Sequence, residues 1–375
     1  ANANTTKGKS SNWDKAALFT AQLGWKDMIY IDGSYRRDWY RAFKQFEYLG
    51  VDDNYGYFGF GANAILTSLF QLPEWVSYAK YRISYSEVGN SIPNTVFNAV
   101  SENFVTGSVT SGSYNSFLPI PEKTKSFETG LESQFFHNAL NLDITYYNSA
   151  MHNSYLNITG LNSKTQPVNS GVIRNQGVEL SVGYNWTINR NWGWKTNVNF
   201  SYNHNKIEKT YTDKYGQSKE MVQDIAQGKI QVRYNEGDAY GDIYVTDFAR
   251  WRDDVYDNNG QLIHKAGDIF IDEGTGKPAI NGNLMVMKNG EAEPAKVDAN
   301  GKSYKKKFGK YAGNMNADYQ LSWSNNFRYK DFNLYILING RIGGKVISLT
   351  EAYLDRFGVS KRTGDARAKS EKLGL

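Results

Sequence analysis

The sequence predicts an all-β protein, specifically an antiparallel transmembrane β-barrel portion of about ten strands. Strands of about nine residues with a period of two, and aromatic residues beside tight polar turns, support this prediction. The clearest pair is Val178–Trp186 followed by Trp194–Tyr202, with apolar residues at even positions and polar residues at odd ones. A soluble β-sandwich is the alternative, but its strands are usually shorter, about five or six residues.

The same alternation recurs along the chain, and each of four strand pairs has aromatic residues next to its turn. Rings with a polar tip favour the membrane–water interface, so these residues predict one aromatic girdle of a barrel. The girdle residues are Trp25, Phe135, Phe136, Trp186, Trp192, Trp194, Tyr329 and Phe332. The ten predicted strands cover residues 16–25, 28–38, 56–65, 77–87, 126–136, 139–149, 176–186, 193–204, 317–329 and 332–341.

Parity assigns each side chain in these strands to one of two faces. The residues expected to face lipid are Phe19, Leu23, Leu140, Leu142, Ile144, Val178, Leu180, Val182, Val198 and Phe200. The residues expected to face the lumen or a plug are Gln22, Asn141, Asp143, Glu179, Lys195, Asn197 and Asn199.

The connections between the predicted strands alternate between short and long. Outer-membrane barrels have short periplasmic turns and longer extracellular loops, so we expect the long connections outside the cell. The barrel strands then lie within residues 16–204 and 317–341, with an extracellular loop subdomain at 205–316 and an extracellular segment at 342–375. Both ends fall outside, and residues 1–10 lack the apolar core of a signal peptide. We therefore expect an internal portion of one larger barrel domain, without its plug domain.

Turn signals divide residues 205–316 into predicted hairpins. Asn-Gly occurs at 259–260, 289–290 and 300–301, and this dipeptide is the favoured type I′ turn because both residues tolerate positive φ. Residues 66–75, between the third and fourth strands, are expected to include a helical turn. Asp257 and Asp268 have the spacing of the end ligands of a calcium loop, but Leu262 stands where such a loop needs glycine. A hairpin turn is the interpretation, with loop-bound calcium as the alternative, and no other cofactor is expected.

Composition excludes several classes of protein. The 375 residues contain no cysteine, which rules out disulfides and thiolate metal sites. The net charge of +5 is mixed along the chain and gives no case for nucleic-acid binding. No apolar run approaches the ~18 residues of a transmembrane helix. The four histidines lack metal-type spacing, and no motif for a nucleophile or a phosphate loop is present, so no catalytic residue is assigned.

Several stretches, in the same order along the chain, resemble the SusC/RagA family of TonB-linked outer-membrane transporters of Bacteroidetes. The segment Gly171–Leu180 is the most specific of them. The others are Ala79–Asn90, Phe127–Glu132, Leu142–Asn148, Glu236–Tyr244, Tyr311–Asn314, Ser324–Phe332 and Arg341–Val346.

The resemblance implies a plugged barrel of about 22 strands in the Gram-negative outer membrane, surrounded by outer-membrane lipid. It also implies active import of an oligosaccharide or peptide, with a SusD-like lipoprotein as partner and energy from the TonB complex. A β-rich surface adhesin or carbohydrate-binding protein without transport is the alternative. Aromatic faces stack on sugars or peptide side chains, so the candidate substrate contacts are Tyr234, Tyr240, Tyr244 and Trp251. The core of a folded subdomain is the other use of these rings.

Overall fold

The computed structural model describes residues 13–44, 47, 50–91, 120–159, 165–187, 189–212, 218–219, 221–225, 230–279, 285–286 and 310–373. The helices are Arg41–Lys44, Leu66–Leu69, Leu349–Arg356 and Lys361–Leu373. In chain order the strands are β1 (Asp14–Trp25), β2 (Ile29–Tyr40), β3 (Asn54–Ile65), β4 (Val76–Asn90), β5 (Glu122–Phe135), β6 (Leu140–Thr159), β7 (Thr165–Thr187), β8 (Trp192–Lys209), β9 (Tyr211–Thr212), β10 (Ser218–Lys219), β11 (Met221–Asp224), β12 (Ile230–Tyr234), β13 (Asp242–Val245), β14 (Arg250–Trp251), β15 (Val255–Tyr256), β16 (Leu262–His264), β17 (Ile271–Asp272), β18 (Lys277–Pro278), β19 (Met285–Val286), β20 (Lys310–Asn314), β21 (Ala317–Tyr329) and β22 (Phe332–Gly343).

One sheet of ten antiparallel strands dominates the fold, in the order β1-β2-β3-β4-β5-β6-β7-β8-β21-β22. These are the ten strands that the alternation predicts. Each strand pairs with the next along the chain, except that β8 pairs with β21 across residues 210–316, which we call the insert. The fold class expected from the sequence, part of an antiparallel barrel with hairpin-rich loops, is confirmed.

The pairing register places every predicted lipid-facing residue on one side of this sheet. Leu142, Val182 and Val198, for example, are direct cross-strand partners. The predicted lumen residues all fall on the opposite side, where Asp143 pairs with Ser181. We call the apolar side the outer face and the polar side the inner face.

The sheet is curved, with the inner face concave. A cavity of about 540 Å³ is lined both by Arg82 of β4 and by Arg341 of β22, although five strands separate them in the sheet. Side chains this far apart in a sheet meet at one cavity only if the sheet bends around it. Large apolar side chains remain exposed on the convex side, including Leu23 (74% exposed) and Phe332 (76%).

Tight turns join the strands at one end of the sheet, which we call the lower end. Lys26 and Asp27 have φ of 50° and 53°, and the Met28 amide donates to the Trp25 carbonyl at 2.9 Å. Two central residues with positive φ define a type I′ turn, whose twist matches that of the flanking strands. His137 and Asn138 form a second turn of this kind, with φ of 56° and 66°.

Aromatic rings form the predicted girdle at the lower end of the outer face. Trp194 stacks on Phe327 with ring centroids 6.0 Å apart, and Trp192 lies 4.3 Å from Tyr329. A second row of rings, which the sequence analysis missed, crosses the upper half of the outer face. It comprises Tyr35, Phe58, Tyr85, Phe127, Tyr146, Tyr202 and Tyr319.

The separation of the two aromatic rows matches a membrane. Trp192 and Tyr202 are ten residues apart on β8, which is about 33 Å along a strand at ~3.3 Å per residue. A strand tilt of about 40° reduces this to about 25 Å along the barrel axis, the height of the apolar band of an outer-membrane barrel. A soluble sandwich has no reason to place exposed aromatic rings in two rows at this spacing.

Polar side chains on the outer face bond to aromatic neighbours. The Trp194 indole donates to the Asn325 side-chain oxygen at 3.1 Å, and the Trp323 indole donates to the Thr196 hydroxyl at 2.9 Å. Because hydrocarbon supplies no hydrogen-bond partner, such groups must be satisfied within the protein.

Two regions differ from the sequence-based expectation, and one expected element is present. Residues 150–175, expected as a loop, are largely strand, because β6 and β7 continue their pairing above the upper aromatic row as far as Thr159 and Thr165. The helical turn expected within residues 66–75 is Leu66–Leu69. The segment after β22 carries the two longest described helices, which the sequence analysis did not predict. Within the described residues, no helix is long and apolar enough to cross a membrane.

The face assignment predicts opposite outcomes at neighbouring positions of β7. Val182→Arg in the intact protein should lower the free energy of unfolding by about 2–4 kcal/mol, because it places a charge at mid-membrane on the lipid side. Ser181→Asn, one residue away on the inner face, serves as the control and should change it little. Urea titration in lipid vesicles measures both, and equal effects would contradict the assignment.

Candidate functional site

The inner face is a polar surface, which we call the wall. At two places on it, a long polar side chain extends across a glycine of the next strand to a partner beyond it. Arg82 of β4 reaches over Gly130 of β5 and donates two hydrogen bonds to Asp143 of β6, at 2.9 and 2.7 Å. It also donates to Thr145, whose hydroxyl donates to Asp143 at 3.2 Å. A Cβ at Gly130 would lie 2.9 Å from the Arg82 guanidinium carbon and from a backbone oxygen. Glycine therefore permits this crossing.

A second crossing repeats the arrangement nearer the upper end. Tyr147 of β6 passes over Gly177 of β7, and its hydroxyl donates to Asn203 of β8 at 3.0 Å. A Cβ at Gly177 would stand 2.6 Å from this hydroxyl and 2.1 Å from the Tyr202 carbonyl oxygen. Both crossings join three adjacent strands through polar side chains.

Ion pairs link neighbouring strands of the wall. Lys80 and Glu132, cross-strand partners, form an ion pair at 2.6 Å, in addition to the Arg82–Asp143 pair. The cavity of about 540 Å³ also exposes Glu179, Asn199, Gln320, Asn339 and Arg341. The inner face therefore offers many hydrogen-bond donors and acceptors with little net charge.

The segment 236–241 connects the insert to the upper end of the wall. Ile207 of β8 exchanges backbone hydrogen bonds with Asp238 and Gly237, at 2.9 and 2.8 Å. The Tyr240 amide donates to the Asn205 side chain at 2.7 Å, and Asn205 belongs to the inner face. The segment is thus held beside the upper end of β8, with Tyr240 on the side of the inner face, at the mouth of the concave side.

Two of the predicted substrate contacts lie at this mouth as a pair. The rings of Tyr234 and Tyr240 are 4.9 Å apart, and Tyr240 is 39% exposed. Burial, followed by the neighbouring Tyr240, raises the pKa of the Tyr234 phenol above its ordinary range. The Tyr234 hydroxyl accordingly stays protonated at neutral pH and donates to Gln223 at 3.1 Å.

The other two predicted contacts are buried in the insert. Tyr244 is 4% exposed in the sheet β11-β12-β13-β20, with its ring against Tyr311. Trp251 is 8% exposed, stacked on His264, and packs with Ala249 and Val286. These rings form the core of the insert, and the structure does not bring all four aromatic residues together.

The expected hairpin at residues 259–260 is present between β15 and β16, but its turn differs from the predicted type I′. Only Gly260 of the pair has a positive φ, of 79°. Asp257 instead organises the turn, accepting backbone hydrogen bonds from Asn259 and Gln261 at 2.9 and 2.8 Å. The Asp257 carboxylate thus caps the loop. The part of the chain that is described contains no group of three potential metal ligands. The Asn-Gly pairs at 289–290 and 300–301 lie outside the described residues.

Comparisons with known proteins identify the family of this chain. The family model described as "TonB dependent receptor-like, beta-barrel" matches residues 1–336. The chain belongs to that family. A curated relative, the TonB-dependent receptor P3 of Formosa agariphila, is 25% identical over 324 residues, covering 80% of this chain and 29% of the relative.

Solved structures show the same fold. One structure of the RagAB peptide transporter has a TM-score of 0.58 at 18% identity, covering 88% of this chain and 33% of that one. A closed-closed state of the RagAB peptide importer gives 0.58 at 17% identity, covering 90% and 35%. The chain thus spans about a third of the length of the relatives that it matches.

Membership of the TonB-dependent receptor family confirms the resemblance found in the sequence. The family comprises outer-membrane β-barrel receptors and transporters, and this chain is an outer-membrane protein. The outer face described above is accordingly the lipid-facing side, and the inner face lines the barrel interior.

Sequence reasoning missed the glycine crossings, although a signal for them exists. Gly130 and Gly177 each interrupt an alternating strand at an inner-face position, and glycine inside a strand often marks a close approach of other groups. Which side chain approaches depends on the register of the neighbouring strand, which a single strand does not encode.

The crossing at Gly130 predicts a steric effect of one methyl group. Gly130→Ala should lower the free energy of unfolding by about 1–3 kcal/mol, because the added Cβ displaces Arg82 and presses on a backbone oxygen. Gly33→Ala in β2, where a Cβ meets nothing within 4 Å, is the matched control. Urea titration of the intact protein measures both variants, and equal stability of the two would refute the close contact.

Proposed function

We propose that this chain forms part of the wall and an external segment of a TonB-dependent importer of oligosaccharides or peptides. The importer acts with a SusD-like surface lipoprotein and takes its energy from the TonB complex. The observation that carries the proposal is a continuous polar inner face with a tyrosine pair held at its mouth.

The charge pattern of the inner face supports passage of a polar, largely uncharged substrate. Arg82 and Lys80 bind Asp143 and Glu132. Other charges on the wall, such as Glu179 and Arg341 in the cavity, are of both signs, so the wall offers hydrogen bonds with little net charge to retain an ion. Sugar hydroxyls and peptide groups match such a surface. The solved peptide transporter of the same fold supports a peptide among these substrates.

The tyrosine pair at the mouth is our proposed substrate contact. Tyr240 is held by three polar groups, since its amide binds Asn205 and its carbonyl accepts from the side chains of Asn314 and Asn316 at 3.1 and 2.7 Å. These bonds fix the backbone of Tyr240, and its ring packs against Tyr234, so the ring loses little conformational freedom when it stacks on a ligand. Trp251 and Tyr244 are not proposed as substrate contacts, because they fill the core of the insert.

The lengths of the connections support an orientation with the insert outside the cell. Lys26–Met28 and Phe136–Ala139 are short turns at the lower end, whereas the insert leaves from the upper end. Short turns are periplasmic in outer-membrane barrels. The upper aromatic row then lies in the outer leaflet, and the mouth of the inner face opens to the exterior.

Cysteine labelling tests the orientation, and the 375 residues contribute no native cysteine to the background. Asn259→Cys, at the exposed tip of the β15–β16 hairpin, should react with a membrane-impermeant maleimide on intact cells. Lys26→Cys, in a lower turn, should react only after the outer membrane is permeabilised. The reverse pattern would overturn the orientation.

Nutrient uptake tests the role of the tyrosine pair. Tyr240→Ala in the intact protein should reduce substrate affinity by up to about tenfold, because a stacked ring contributes up to about 1.5 kcal/mol. Tyr256→Ala, an exposed ring on the β15–β16 hairpin, is the control and should retain uptake. Removal of the TonB-binding segment of the intact protein should abolish uptake of the same substrate. Uptake that persists without it would favour a non-transporting surface binder.

A further inference from the structure

Immediately above the upper aromatic row, the outer face becomes basic. Glu87 of β4, Lys125 of β5, Ala150 of β6, Arg174 of β7 and Lys206 of β8 are successive cross-strand partners in one row of the sheet, which carries three basic residues and one carboxylate. Two residues below, the corresponding row begins with Phe127, one of the upper aromatic rings. The basic row therefore begins where the apolar band ends.

The next row upward adds more basic groups. Lys123 pairs across the strands with His152, which pairs with Val172, and Val172 pairs with Lys209. Lys123, Lys125, Arg174, Lys206 and Lys209 thus form one basic patch on the outer face, with His152 among them. We call these five residues the outer basic patch.

Two carboxylates neutralise only part of the patch. Glu87 binds Lys123 at 2.7 Å, and Glu208 binds Arg174, with one of its contacts at 3.1 Å. Among the residues that the structure describes, neither Lys125 nor Lys206 has a carboxylate within 4 Å, and both are exposed. The patch retains positive charge on both sides of the Arg174–Glu208 pair.

The row of basic residues lowers the stability of the sheet when no anion is bound. Arg174 and Lys206 are direct cross-strand partners, and like charges directly opposite each other are destabilising. The outer face below this level is almost free of charged residues, so the row is not the continuation of a charged strand pattern. Glu208 offsets part of this repulsion, because it binds Arg174 and interacts with Lys206, and an anion that lies across the row would offset more of it.

We propose that the outer basic patch binds the phosphate groups of lipid headgroups in the outer leaflet of the membrane. This inference rests on the orientation proposed above, which places the patch at the outer leaflet. Its position fits a headgroup, since the aromatic row below it marks the boundary of the hydrocarbon. From β5 to β8 the row spans three strand spacings, about 14 Å, which is wide enough for an extended headgroup.

The geometry also fits phosphate chemistry. The exposed ammonium groups of Lys125 and Lys206 are compact charges that bind phosphate oxygens without a fixed orientation. Ala150 stands between Lys125 and Arg174 and adds no charge or polar side chain to the row. Arg174 is fixed by Glu208 and by the Asn148 side chain, to which it donates at 2.6 Å. The two free lysines are therefore the groups that a headgroup would engage.

Lipid retention by the intact protein, purified from outer membranes, tests the proposal. The probes are the phosphorylated glycolipid extracted from that membrane, the same lipid after dephosphorylation, and inorganic phosphate, each measured by native mass spectrometry. Lys125→Gln with Lys206→Gln should lower retention of the phosphorylated lipid about 30-fold, since each basic residue near an anionic surface contributes about 1 kcal/mol. Lys195→Gln with Lys330→Gln removes the same charge from the inner face and a lower turn, and should retain the lipid.

The outcomes distinguish lipid phosphate from inorganic phosphate, and they distinguish failure of the lipid site from failure of the proposed importer. Retention that the patch variant does not reduce, equal retention of the dephosphorylated lipid, or displacement by inorganic phosphate at millimolar concentration would each overturn a lipid site. Loss of retention in the patch variant alone supports it. Nutrient uptake is measured in the same cells, so a wild-type protein that retains lipid without importing would refute the importer and leave the lipid site standing.

Discussion

The continuous hydrogen-bond ladder of the ten-stranded sheet is the constraint on which the other features depend. Hydrocarbon offers no partner to a backbone amide, so every strand that crosses the membrane must pair with neighbours along its length. Once the ladder fixes the register, side-chain direction follows from parity, and Leu142, Val182 and Val198 must share the lipid side. Asp143 and Ser181, one residue away, must face the interior. Lipid contact and a polar interior are thus two consequences of one pairing pattern.

The same ladder limits how charges inside the barrel find partners. Arg82 and Asp143 belong to strands that are not adjacent, since β5 lies between them. A side chain on β5 at that level would separate the two charges, and glycine at position 130 removes it. Gly177 does the same for Tyr147 and Asn203. Each glycine weakens its own strand slightly, whereas each crossing joins three strands. The gain from joining three strands offsets the loss from glycine and supports a rigid wall.

Local pattern and longer-range geometry account for what the sequence predicted and what it did not. The ten strands and both faces were predictable, because the alternation of apolar and polar residues is visible in the sequence of each strand by itself. The upper aromatic row was missed because Phe127, Tyr146 and Tyr202 align only after the register joins the four strands β5 to β8. At Asn259 the dipeptide indicated a hairpin, but the carboxylate of Asp257 decided the turn geometry. The sequence could not show that Tyr240 is exposed and Trp251 buried, since the exposure of each ring depends on packing within the insert.

Register also explains why the outer basic patch escaped the sequence analysis. Lys125, Arg174 and Lys206 are far apart in the chain and stand among mixed charges, so no segment shows a basic run. Pairing of four strands brings them into one row, just above the rings that mark the edge of the apolar band. A shift of one residue in any of these strands would turn its basic side chain to the inner face. The pairing that satisfies the backbone in lipid therefore also determines which charges meet the membrane surface.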